Sequence, residues 1–240
     1  MNTQVKTVDN VKKLGTILCV WAHPDDESIS CAGIMAAAIR NGQTVACITA
    51  TKGESGVQDE NRWPADRLGE IRAAEMQAAL KCIGCKNHHW LGYKDGQCDK
   101  IPDEEGAGRV RSFIDVFQPN TILTFGPDGM TGHPDHQAVS RWATLAANDN
   151  VQVYYSVEEA EVYEKYLKAA DEKFNFYFNI DKPPLRSVDT CDIALTLSPE
   201  LLQIKQNALR AMPSQYDSFF ATMTGDFIDA AFGLECFVKA

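Results

Sequence analysis

Short β-rich apolar runs alternate with stretches of helical spacing along most of the chain, and this alternation restricts the fold more than any other feature. Residues 16–22 (TILCVWA), 44–51 (TVACITAT) and 121–126 (TILTFG) are nearly continuous in apolar residues, the pattern of strands buried on both faces. Shorter runs at 89–91, 151–157 and 192–197 read as further strands. Helical spacing occupies 28–40, 67–83, 108–117, 136–147 and 200–211, with Asn41-Gly42, Gly84 and Pro119 as stops. The expectation is an α/β fold with a mostly parallel sheet covered on both faces.

At 240 residues the chain suits one domain, and it contains no repeat, low-complexity tract or convincing linker. Residues 1–15 are expected to be a polar N-terminal tail and 16–240 a single domain. Lys182-Pro183-Pro184 is the best boundary candidate, but too little chain follows it for a second core. The formal net charge of −10 argues against nucleic acid or an anionic membrane as partner, since both need clustered Lys and Arg. The first fifteen residues lack an apolar signal-like core, and no apolar run approaches the roughly 20 residues of a membrane span. No membrane insertion and a cytoplasmic setting are therefore expected. The eight cysteines read as reduced, mostly buried small hydrophobes. A homo-oligomer is left open.

In open parallel sheets, ligands bind beyond the carboxyl ends of the strands, and two loops at such ends are heavily loaded. The first strand runs into Ala22-His23-Pro24-Asp25-Asp26-Glu27. The strand ending at Gly126 leads through Pro127-Asp128-Gly129-Met130-Thr131-Gly132 to His133-Pro134-Asp135-His136. Three of the five histidines lie in these two strings. His23 and Asp26 are three apart across a strand-to-helix turn, so both can address one ion, and His136 can add a third ligand. Two imidazoles and a carboxylate suit zinc or iron(II) and leave a coordination position open. An ion of this kind can lower the pKa of water to roughly 7. Asp25, adjacent to a ligand but free, is the natural general base. His133, protonated, would face a developing oxyanion, and Asp135 would fix the tautomer of a nearby histidine.

AHPDDE after the first strand, with GHPDH much later, resembles the PIG-L/LmbE-type family of metal-dependent N-acetylglucosaminyl deacetylases. The similarity extends through Thr51-Lys52-Gly53-Glu54-Ser55-Gly56, Arg72-Ala73-Ala74-Glu75, Leu91-Gly92, Asp95-Gly96 and Ser214-Gln215. The resemblance implies a Rossmann-like three-layer fold without a nucleotide. It implies a zinc (or iron(II)) site at His23, Asp26 and His136, Asp25 as base, and His133 as oxyanion-stabilising histidine. It also implies that Arg72 contacts the sugar and that Asp95 lies near a carboxylate that does the same. Two departures, Met130-Thr131-Gly132 before the second histidine motif and Met212 where the family has histidine, lie outside the metal set and bear on substrate choice.

Blander readings stand beside these. Arg72 and Glu75 have the spacing of a surface ion pair, Asp95 beside Gly96 that of a turn residue, and Glu54 is equally a cleft residue or an exposed loop carboxylate. Cys82 and Cys85 fit core packing better than a zinc or redox pair. The aromatics at 154–155 and 174–178 are expected in the core or at a subunit interface. The expected substrate is a small N-acetylated sugar or GlcNAc glycoconjugate, cleaved at a linear amide. The alternatives are an amidase acting on a thiol conjugate or antibiotic intermediate, and a metal-stabilised sugar-binding protein without turnover.

Overall fold

The structure is a computed structural model and describes residues 5–240. Strands β1 (Ile17–Trp21), β2 (Val45–Thr49), β3 (Asn87–Trp90), β4 (Thr121–Phe125) and β5 (Gln152–Glu159) run parallel in the order β3-β2-β1-β4-β5. Every position of β1, β2 and β4 is buried, as their continuous apolar sequence requires of strands covered on both faces. A two-residue strand, β6 (Leu185–Arg186), pairs with the end of β5. Strand β7 (Ile193–Thr196) pairs with β8 (Leu234–Lys239), which lies antiparallel between β5 and β7.

Helices α1 (Asp26–Arg40) and α2 (Leu68–Ile83) both pack on α8 (Pro199–Arg210), whereas α3 (Asp103–Phe117) packs on α5 (Pro134–Ala146). This is a three-layer arrangement. The chain leaves β1 towards β2 in one direction and β4 towards β5 in the other. The strand order therefore reverses between β1 and β4, the place where an open α/β sheet forms a crevice. The short turn α4 (Gly129–Gly132) follows β4. After β5, α6 (Ala160–Val162) and α7 (Lys168–Phe174) form an excursion beside the crevice, and α9 (Pro213–Thr222) and α10 (Gly225–Phe232) precede β8.

The expected polar tail differs from what is seen. Residues 1–4 lie outside the described residues, but Val5 bridges Ile193, and Val8–Leu14 form a 3-10 helix that buries Val11 and Leu14. The two apolar residues spaced three apart were hidden among lysines and asparagine. No helix of the described residues is long and apolar enough to cross a membrane.

Candidate metal centre and its cavity

His23 follows β1 and His136 sits in the first turn of α5, so the β1/β4 reversal brings them together. His23 Nδ1 lies 2.9 Å from His136 Nε2. Each ring has its other nitrogen engaged: His136 Nδ1 donates to the Gly129 carbonyl at 2.9 Å, and His23 Nε2 faces Asp95 Oδ1 at 3.0 Å and Asp135 Oδ2 at 3.4 Å. In neutral rings these contacts would leave the two facing nitrogens as lone pairs. Two lone pairs at that distance repel unless a proton or cation lies between them. Asp26 completes the group. Its Oδ2 accepts from the Ala22 and His23 backbone N–H groups at 3.1 and 2.7 Å, and its Oδ1 stands 3.5 Å from His136 Nε2. Ligands of a tetrahedral zinc with bonds near 2.0–2.1 Å are about 3.3 Å apart, so this donor set fits a divalent ion.

Other donors are close: His133 lies within reach of both imidazoles, and Asp95 and Asp135 surround His23. They are less available. Fully buried Asp135 accepts from Gly96 N and Cys98 N at 2.7 and 2.9 Å. Asp95 takes Ser55 N at 2.8 Å in addition to His23, and His133 Nδ1 accepts from Asp135 N at 3.1 Å.

Asp25 is the N-cap of α1 and has φ 122°, ψ −28°, a backbone conformation that a non-glycine residue holds only under constraint. The constraint comes from three sides. Its N–H donates to Glu27 Oε2 at 3.2 Å, Arg72 Nη2 donates to its Oδ2 at 3.2 Å, and the Tyr216 hydroxyl reaches the same oxygen at 3.4 Å. Arg72 is buried and also donates to the carbonyls of Pro24 and Gly53, at 2.7 and 2.9 Å. Gly53 has φ +65°, and a Cβ there would stand 2.3 Å from Arg72 Nη1, so the loop needs glycine for the guanidinium to pass.

Burial and charge set the protonation states. Burial lowers the His23 pKa, but the carboxylates of Asp135, Asp95 and Asp26 outweigh it and hold it at about 10. Burial, with His23 and His133 nearby, keeps His136 well below its usual value and neutral. Burial raises Asp26 to about 8 against the opposing charge of His23, and raises Asp25 against the opposing charges of Arg72 and His23. Burial and His23 lower the His133 pKa. In the metal-free chain this favours the neutral ring over the protonated one expected, with Nδ1 accepting and Nε2 left as its donor atom.

A cavity of about 470 Å³ opens on these groups, lined by His23, Asp25, Asp26, Arg72, Asp95, His133 and His136 among others. Glu54 is not among its lining residues. Its Oε1 accepts from Asp95 N at 3.0 Å, behind the cleft. Phe176, Tyr177 and Phe178, expected in the core or at an interface, line the cavity as well. Tyr216 and Glu27 were missed from sequence. Tyr216 directly follows the quoted Ser214-Gln215, and Glu27 ends the HPDDE string, but nothing in residue type set either apart.

The architecture and donor set define a class: an α/β protein with a candidate divalent-metal cleft at the switch point of its sheet. The chain belongs to the PIG-L family, described as GlcNAc-PI de-N-acetylase, whose pattern it matches over residues 18–147. It is 34% identical over 151 residues to a 1D-myo-inositol 2-acetamido-2-deoxy-alpha-D-glucopyranoside deacetylase of Mycobacterium sp. (strain KMS), an overlap of 54% of this chain and 49% of that protein. It thus spans about half the length of that relative. A protein of the same name from Corynebacterium glutamicum (strain R) is 29% identical over 219 residues, covering 83% of this chain and 74% of its own. In fold, the N,N'-diacetylchitobiose deacetylase of Pyrococcus horikoshii superposes with a TM-score of 0.64 at 21% identity, over 95% of this chain and 85% of that one.

Proposed function

We propose that this chain is a zinc-dependent amidohydrolase, with iron(II) able to take the same place. It removes the N-acetyl group from a 2-acetamido sugar or a small GlcNAc glycoconjugate. The observation that carries the reading is the pair of imidazole nitrogens facing one another at 2.9 Å, with Asp26 beside them and Asp25 held free of them. His23, Asp26 and His136 would hold the ion. When bound, it supplies a Lewis acid that polarises the amide carbonyl and lowers the pKa of water.

The residues of the chain do the rest. Asp25, constrained by Glu27, Arg72 and Tyr216, accepts the proton of a water as the water's oxygen adds to the acetyl carbon. His133 donates its Nε2–H to the carbonyl oxygen as negative charge develops there. Asp25 then returns its proton to the nitrogen as the C–N bond breaks, so acetate and the free amine leave. Asp135 and Asp95 hold His23 in the tautomer that presents Nδ1. In this reading Arg72 positions Asp25 and borders the sugar, and Glu54 acts only through the Asp95 backbone. The eight free cysteines fit a reducing, cytoplasmic setting.

The test is acetate release from N-acetylglucosamine, its inositol glycoside and short chitin oligomers, before and after chelation. Release that stops with chelator and returns with zinc or iron(II) is expected. No release from any of these with either metal restored overturns the reading.

A further inference from the structure

Only part of the cavity is polar. Beyond the metal centre its wall is built by Leu167, Phe176, Tyr177, Phe178, Phe219 and Phe232, from the excursion after β5 and from α9 and α10. All six lie outside residues 18–147, the stretch that matches the family, so family membership does not dictate their chemistry. Three of the rings are contiguous. Phe176 and Phe219 have centroids 6.0 Å apart, Phe219 and Phe232 5.6 Å. Phe178 stands 5.8 Å from the His133 ring, so the apolar wall begins beside a residue assigned to the reaction. Phe178 is 52% exposed, a cost in water that an apolar partner removes.

A polyol finds little on this wall. The Tyr177 hydroxyl donates to Glu158 Oε1 at 3.0 Å, so these two polar groups already bond each other. Burying ring hydroxyls against phenylalanine forfeits their hydrogen bonds to water without replacement.

Building on the deacetylase reading, we propose that this wall is a subsite for an apolar alkyl or aryl group carried by the amino-sugar substrate. Such a group would take the place of a hydroxyl-rich aglycone such as inositol. It reaches the wall either as the aglycone or as an extended N-acyl chain.

Calorimetric binding separates these sources without relying on turnover. One series is the methyl, butyl and octyl glycosides of glucosamine, titrated into metal-loaded protein. The other is N-acetyl, N-butanoyl and N-octanoyl glucosamine, titrated into metal-loaded Asp25→Asn protein, which leaves the amide uncleaved during the titration. Affinity should rise at least tenfold across one series, and the series in which it rises identifies the source. Phe178→Ala, on an exposed side chain, should flatten that rise. Kd values independent of chain length in both series overturn the subsite. Failure to release acetate would instead count against the deacetylase reading, leaving the binding result to stand or fall separately.

Discussion

His23 Nδ1 and His136 Nε2 point at one another at 2.9 Å, each with its second nitrogen already bonded to a carboxylate or a carbonyl. With those bonds made, the two facing nitrogens share a proton in the metal-free chain, where the His23 pKa stands at about 10. A cation that displaces that proton would take both nitrogens as donors.

Division of labour between neighbours follows from this. His136→Ala should lose bound metal and activity together. Asp25→Asn should keep the metal while kcat falls about 10²- to 10⁴-fold. Metal content by mass spectrometry beside turnover checks this, and equal metal loss in both variants contradicts it. Because burial raises the Asp25 pKa, the acid limb of kcat/KM should lie above the ordinary carboxylate range.

In the proposed mechanism His133 donates as a neutral imidazole. His133→Ala should retain metal and lose on the order of 10²-fold in kcat. Its lowered pKa means that wild-type activity should not decline between pH 7 and 8 through loss of a His133 proton. A decline in that window that disappears in His133→Ala would show that a protonated imidazole is required.

Metal uptake should release protons. In the metal-free chain the His23 pKa stands at about 10 and that of Asp26 at about 8, so both hold protons at neutral pH that an ion must displace. Apparent affinity should therefore rise at least tenfold per pH unit from 6 to 8. Calorimetry in buffers of different ionisation enthalpy counts the protons, and uptake without release contradicts these states.

The parallel half of the fold was legible because strands buried on both faces leave continuous apolar runs. Both histidine strings were legible because each follows such a run. Strand β8 was not: its sequence, Leu-Glu-Cys-Phe-Val-Lys, carries a charge inside and another at its end, and Glu235 is buried because Lys205 and two backbone N–H groups of α1 meet it across the fold. The family resemblance suggested that Asp95 and Arg72 contact sugar, whereas residue type and spacing alone read as a turn and a surface ion pair. Their engagement with His23 and Asp25 depends on where the loops after β2 and β3 converge. Phe176 and Phe178 looked like core residues because spacing does not distinguish a cavity wall from an interior.

Glu235 makes a separate stability prediction. Its carboxylate accepts from Gly33 N and Ile34 N, both at 2.8 Å, and from Lys205 Nζ at 3.0 Å. This is just past Cys31, where α1 leaves helical geometry. Glu235→Ala should cost about 3–5 kcal/mol, read from the urea midpoint. The apolar pair Lys205→Met with Glu235→Leu should recover only part, because the two backbone N–H groups remain unpaired at about 1–3 kcal/mol each. Full recovery would show that they find other partners.

Zinc K-edge absorption of the loaded protein tests the centre most directly. Two imidazole nitrogens and a carboxylate oxygen are predicted. A single imidazole in the wild type, as when the ion sits among His23, Asp95 and Asp135, would contradict the assignment.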